Sequence, residues 1–225
     1  MKNILKLTYK YDFINPTKES NPTGSFAPAC RGADQLIIYT KDNPYKTHNN
    51  LSGVNPYGFD EPNHYTTSRD MALLSSYLIN NYPEILNYTS RYEDYVREDS
   101  NKRFWLVNTN KLVKFLDGVD GLKTGWTDKA GYCLTATIKK DGKRYLAVSM
   151  NCDSPELRNK DVSSMLTFAT NNYDVIKYKS KGEVVQEIKD YRYKPSVFHL
   201  YLEEDVNVVV KKNVKGNDIK SCIEN

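Results

Sequence analysis

Hydrophobic positions recur along this chain with two different spacings, and the switches between them mark its elements. After Thr67-Ser-Arg-Asp70, which has the makings of a capping box, Met71, Leu74, Leu78 and Ile79 return at helical intervals, so the spacing predicts a helix that buries those four side chains. From Tyr88 to Arg97 apolar and polar residues alternate, which predicts a strand. Phe104 to Asn110 leads into a short polar turn, and Gly121 to Trp126 predicts a further strand. Asp141-Gly142 separates two apolar runs and predicts a two-residue hairpin turn within 132–151, pairing 140 with 143 and hence 133 with 150. In that register one face carries Leu134, Ala136, Ile138, Tyr145 and Ala147, and the other carries Cys133, Leu146, Val148 and Met150. Neither face suits water, so helices are expected on both sides of the sheet.

One such cover is predicted from Ser154 or Asp153 as N-cap, through Pro155 at the first helical position, to Asn172, with Val162, Met165, Leu166 and Ala169 along one stripe. After Tyr173 the period becomes strand-like, in the runs Val184–Ile188, Val197–Leu202 and Val206–Val210, which reads as the start of a small all-β module. Residues 1 to about 50 show no period, hold Pro16, Pro22, Pro28 and Pro44, and offer only Gln35 to Thr40 as a strand candidate, so they do not read as a folded unit. The expectation is an α/β (α+β) chain in three parts: an atypical segment 1–45, an antiparallel sheet sandwiched by helices over 46–173, and a partial β-rich domain over 174–225.

Composition narrows the function classes. With 225 residues and 39% hydrophobic residues the chain can hold one full domain or a domain plus part of another. A net charge of +4 with acids interspersed, and no basic run alternating with aromatics, argues against nucleic acid as a partner. The eighteen tyrosines are scattered and read as half-buried fillers, not as a stacking surface. The opening Met1-Lys-Asn-Ile-Leu-Lys-Leu7 is interrupted by Lys6, Lys10 and Asp12 before any signal-peptide core can form, and no run is long and apolar enough to anchor in a membrane. Cys30, Cys133, Cys152 and Cys222 lack metal-site spacing, so no metal and no cofactor are expected. The hairpin register makes Cys133 and Cys152 diagonal neighbours at about 7 to 8 Å, too far for a bond to each other, so two buried unreactive thiols are expected.

The chemistry concentrates in Gly118-Val-Asp-Gly-Leu-Lys-Thr-Gly-Trp-Thr-Asp-Lys-Ala-Gly131. Lys123 offers a fixed positive charge, Thr124 a directional hydroxyl, and Gly125 room for another backbone to lie close to the strand, a set that suits a substrate ending in a free carboxylate. Over about residues 46 to 173 the sequence resembles the serine-type D-alanyl-D-alanine carboxypeptidases, the low-molecular-weight penicillin-binding proteins of peptidase family S11. Three segments carry the resemblance, in order: Asn55-Pro-Tyr-Gly-Phe-Asp-Glu-Pro-Asn-His-Tyr-Thr-Thr-Ser-Arg-Asp-Met-Ala72, the Asn-rich turn Asn108-Thr-Asn-Lys111, and the Lys-Thr-Gly run itself.

What the resemblance implies is a transpeptidase-like (β-lactamase-like) fold and acyl transfer. A serine attacks the carbonyl of the penultimate D-alanine of a peptidoglycan stem peptide, the last D-alanine leaves, and water hydrolyses the acyl-enzyme; a β-lactam would occupy the same place. Lys123 would attract the terminal carboxylate, Thr124 would hydrogen-bond it, and the backbone N–H of Trp126 would form part of the oxyanion hole. Arg158 resembles a family arginine near the Lys-Thr-Gly strand; carboxylate contact and an exposed surface arginine both stay open for it. His64 and Asp120 are read as structural, one in a loop and one as an edge or turn charge.

The departures carry equal weight. No serine is followed three residues later by lysine, so no catalytic nucleophile or base is assigned, and Ser-x-Asn is missing from the first thirty residues, where family spacing would put it. The expectation is therefore the C-terminal part of a carboxypeptidase domain, inactive alone and dependent on a missing N-terminal half. The rivals are a non-catalytic stem-peptide binder and a β-lactamase-related fragment, the latter disfavoured by the β-rich run after Tyr173. The family is exported to the cell envelope, whereas the lack of a signal peptide predicts a cytoplasmic product.

Overall fold

The structure, a computed structural model, describes residues 13–14, 35–38, 55 and 57–212, the first two stretches as backbone. They form two compact units that meet in the chain at Asn171 and Asn172. In the first unit, Phe13–Ile14 (β1), Gln35–Ile38 (β2), Val119–Thr127 (β5), Gly131–Lys140 (β6) and Lys143–Cys152 (β7) make one antiparallel sheet in the order β1-β2-β7-β6-β5, while Glu93–Val96 (β3) and Phe104–Val107 (β4) pair as a separate hairpin. The stretch before residue 45 thus contributes strands: Gln35 lies opposite Val148 and Ile38 opposite Tyr145.

The β6–β7 hairpin turns where Asp141-Gly142 predicts. Both residues have positive φ, 52° and 76°, the pairing that a tight two-residue turn needs. The predicted register holds from Lys140 opposite Lys143 to Leu134 opposite Ser149, then slips, so that Tyr132 faces Cys152. The extra residue is taken up at Asn151, whose φ is 57°, and the bulge fits because Gly131 opposite it has no Cβ; one there would come within 2.9 Å of the Asn151 Oδ1. Leu134, Ala136, Ile138, Tyr145, Leu146, Ala147 and Val148 are all buried, so both faces of the hairpin are covered, as their apolar character requires.

Ser68–Asn81 (α1) packs on β7, β2 and β6. Thr67 caps it, its Oγ1 accepting the Asp70 N–H at 3.1 Å and donating to the Asp70 carboxylate at 2.8 Å. The buried stripe differs from the expected one. Ala72, Leu73, Ser75, Ser76 and Ile79 are buried, Met71 and Leu78 are half-buried, and Leu74 is exposed. Small side chains let the helix backbone approach the sheet closely, and that contact outranks the bulk of Leu74.

Pro155–Asn172 (α4) begins where expected, with the Ser154 Oγ accepting the Leu157 N–H at 3.2 Å. It buries Val162, Met165, Leu166 and Ala169 together with Arg158, Asp161 and Thr170. The predicted strand over Tyr88–Arg97 is half right. Its first residues belong to the short helix Leu86–Thr89 (α2), which follows a 3-10 turn at Pro83–Ile85, and β3 starts only at Glu93.

In the second unit, Tyr173–Lys179 (β8) pairs with Val206–Lys211 (β11), and Val184–Lys189 (β9) pairs with Val197–Tyr201 (β10). The three predicted runs are β9, β10 and β11, and β8 is one strand more. Among the described residues no helix is long and apolar enough to cross a membrane.

Candidate functional site

Strand β5 is the edge of the sheet, and its Lys123-Thr124-Gly125-Trp126 stretch is fixed from behind and open in front. Behind it stand α2, Leu112–Phe115 (α3) and the turn between β4 and α3. Thr89 donates its hydroxyl to the Asp120 carbonyl at 2.7 Å, and Gly121 makes room for this: a Cβ there would meet Thr89 Oγ1 at 2.6 Å. Asn110, fully buried, donates to the Gly121 carbonyl at 3.1 Å and accepts the Leu112 N–H at 3.2 Å. Asn108 donates to the Thr89 and Arg91 carbonyls at 3.1 and 2.9 Å and accepts the Asn110 N–H at 2.8 Å. The Asn-rich turn is therefore a bracket that satisfies backbone groups on either side of it and presses on β5.

On the open side, Lys123 is exposed and one of its three ammonium protons goes to the Thr124 carbonyl at 2.7 Å. The Thr124 hydroxyl lies 2.6 Å from that of Thr109, the exposed residue between the two bracket asparagines. Gly125 pairs with Cys133, and a Cβ on it would meet nothing nearer than Cys133 Cβ at 3.8 Å, so the strand edge is clear there. Trp126 is exposed, its ring 5.9 Å from that of Tyr132 across the strand pair. One residue on, Thr127 donates its hydroxyl to Asp60 at 2.7 Å and accepts the Ala130 N–H at 3.0 Å, which ties the loop before α1 to the end of the strand.

Arg158, near the start of α4, is only 5% exposed, which removes the surface-arginine reading. Its guanidinium donates to Asn159 Oδ1 at 3.2 and 3.0 Å. Burial pushes its pKa below the ordinary arginine value, with Cys133, Glu156 and Tyr132 near enough to pull the other way. Burial raises the pKa of the Cys133 thiol in turn, outweighing the nearby Arg158 charge. Among the described residues neither Lys123 nor Arg158 forms an ion pair.

The remaining candidates fall into structural roles. Asp120 forms a two-pronged ion pair with Arg144 at 2.7 and 2.8 Å, and Arg144 also donates to Thr137 on β6. His64 closes the turn before α1, its N–H donating to the Glu61 carbonyl at 3.2 Å. Cys133 is a free thiol, but Cys152 is disulfide-bonded and not the thiol expected; its partner lies outside the described residues. Thr109, Thr89 and Asp60 each meet β5 only through tertiary packing, so no local pattern assigns them a contact with it. The flanking asparagines were the single local sign.

Residues 46–154 match the family model of D-alanyl-D-alanine carboxypeptidases, peptidase S11. Through this segment the chain belongs to that family. It is 41% identical over 175 residues to the D-alanyl-D-alanine carboxypeptidase DacF of Bacillus subtilis, covering 78% of this chain and 45% of that protein. To DacA of Haemophilus influenzae it is 29% identical over 146 residues, 63% of this chain and 35% of that protein. Penicillin binding protein 5 from Haemophilus influenzae shares the fold with a TM-score of 0.64 and 25% identity, over 72% of this chain and 46% of that one. The chain thus spans less than half the length of these carboxypeptidases.

One string in this family member deserves separation from the family motif. Ser149-Met-Asn151 has the letters of Ser-x-Asn, but it lies on β7 after the Lys-Thr-Gly strand and not in the first thirty residues. Ser149 is fully buried with its Oγ 3.1 Å from the Cys152 Sγ, so it cannot meet a substrate, and Asn151 is the exposed bulge residue at the end of the strand.

Proposed function

We propose that this chain carries the carboxylate-binding edge of a serine-type D-Ala-D-Ala carboxypeptidase, and that it binds peptidoglycan stem peptides without turning them over on its own. The observation that carries the reading is a pair of cations that form no ion pair among the described residues: Lys123 on the edge strand itself, and Arg158 beside the residue that pairs with Gly125. A buried guanidinium outside any ion pair is costly to the fold and is compensated when an anion arrives. A stem peptide laid along β5 would bring its terminal carboxylate to Lys123 and Thr124, with Arg158 reinforcing the field and the clear edge at Gly125 admitting its backbone. The Trp126 N–H would help to stabilise the oxyanion that forms at the penultimate D-alanine carbonyl.

The attacking serine and its activating lysine have no counterpart in these 225 residues. Losing the nucleophile of a comparable acyl-transfer enzyme costs on the order of a millionfold in turnover, about 8 kcal/mol, against about 3 to 4 kcal/mol for one oxyanion donor. Binding without release of D-alanine is the expected behaviour. The purified chain should bind an N-acyl-D-Ala-D-Ala peptide in a calorimetric titration and lose at least tenfold in affinity on Lys123→Ala, since a charge-assisted hydrogen bond contributes about 1.5 to 3 kcal/mol. Robust D-alanine release, or acylation of this chain by a fluorescent penicillin, would refute the claim that it lacks the nucleophile.

A further inference from the structure

We infer that Thr109 is a positioning residue that sets the direction of the Thr124 hydroxyl and so selects a free carboxylate over a neutral chain end. The inference rests on the reading of β5 as a carboxylate site and adds a residue outside the Lys-Thr-Gly run. The two hydroxyl oxygens are 2.6 Å apart, so one hydroxyl donates to the other. Each hydroxyl has one proton and two lone pairs. If Thr124 gave its proton to Thr109, it would turn only lone pairs toward a ligand and would repel a carboxylate, which is itself only an acceptor. If Thr109 donates, the Thr124 proton is released toward the open edge, and the site accepts an anion. An incoming carboxylate favours this second arrangement, with Thr109 Oγ1–H donating to Thr124 Oγ1 and Thr124 Oγ1–H donating to the ligand.

The backbone of Thr109 does not drift, because the residues on both sides of it are tied down. Asn108 is held to the Thr89 and Arg91 carbonyls, and Asn110 is buried against the Gly121 carbonyl and the Leu112 N–H. Lys123 discriminates by charge alone, as a flexible ammonium whose contact with the Thr124 carbonyl leaves two protons unassigned. The hydroxyl pair adds direction: either oxygen of a carboxylate accepts the Thr124 proton, whereas a terminal carboxamide can do so only in the orientation that turns its carbonyl oxygen to Thr124 and its N–H group toward the Lys123 ammonium, donor against donor.

The test is a calorimetric titration of the full chain with N-acetyl-L-Lys-D-Ala-D-Ala and with the same peptide as its C-terminal amide. In Thr109→Val the preference for acid over amide should fall on the order of three- to tenfold, the range that one hydrogen bond supplies. Thr109→Ser should restore it, and Thr109→Ala serves as a second donor-free variant. Because Thr109 is exposed, its variants should keep the melting temperature of the parent. An unchanged acid-to-amide ratio in Thr109→Val and Thr109→Ala, with Lys123→Ala still abolishing binding, overturns the role of Thr109 alone. Absence of peptide binding by the parent chain, or binding indifferent to Lys123→Ala, overturns the carboxylate site and this inference with it.

Discussion

Arg158 shows how a single residue can oppose fold and function. Its guanidinium is buried and hydrogen-bonded to the Asn159 side chain, it forms no ion pair among the described residues, and burial lowers its pKa against the pull of Cys133 and Glu156. Removing a buried charge that no ion pair offsets relieves its desolvation cost, so Arg158→Gln should leave stability unchanged or raise it by about 1 kcal/mol. The same substitution should weaken stem-peptide binding by roughly tenfold. Urea unfolding followed at the tryptophans, alongside peptide titration, checks both halves. Loss of stability with binding intact would make Arg158 a structural residue. At this scale much of the site was legible, since charge, hydroxyl and glycine at 123 to 125 each have a chemical meaning in sequence. Arg158 was legible as a candidate but not as buried, because a surface arginine and a buried one are written with the same letter and differ only in what packs over them.

The unit that holds the site in shape is the edge strand together with the bracket behind it. Asn110 is central: fully buried, it ties the Gly121 carbonyl of β5 to the first turn of α3. Replacing it with alanine strands a buried carbonyl and a helix-end N–H, each costing about 1 to 3 kcal/mol when left unsatisfied. Asn110→Ala should therefore destabilise the first unit by about 2 kcal/mol and also weaken peptide binding, because Thr109 and β5 lose their shared anchor. A thermal melt and a titration on the same sample check this. A variant as stable as the parent would show that the bracket bears no strain. Elements whose patterns reflect their own packing were legible: α4 with its Val162, Met165, Leu166 and Ala169 stripe, and the hairpin at Asp141-Gly142. Those shaped by a partner were not. The α1 stripe turned toward Ala72 and Ser76 because the sheet is close, and Tyr88 and Thr89 became helical where Thr89 reaches the Asp120 carbonyl. The bulge at Asn151 depends on Gly131 across the strand pair, a relation that neither local sequence displays.

For the molecule as a whole, the first unit exposes several large apolar side chains as well as its edge strand. Phe104, Trp105, Phe115 and Trp126 are each more than half exposed, and the Lys-Thr-Gly strand is an uncovered sheet edge. On the proposed reading, a polypeptide bearing the Ser-x-x-Lys and Ser-x-Asn motifs would supply the nucleophile and base that accompany the carboxylate edge of β5. Mixed with the motif-bearing remainder of a related carboxypeptidase domain, the chain should form a 1:1 complex that is acylated by fluorescent penicillin, with the label on the added polypeptide's serine. Neither component alone should label above about one part in a thousand of the mixture, given the millionfold weight of the nucleophile and the smaller but necessary share of the carboxylate site. Lys123→Ala in this chain should suppress the signal while leaving the complex intact, which separates loss of assembly from loss of chemistry. A complex that forms but stays unlabelled would mean that the open edge of β5 serves binding alone, and the chain would then stand as a stem-peptide receptor and not as half of an enzyme.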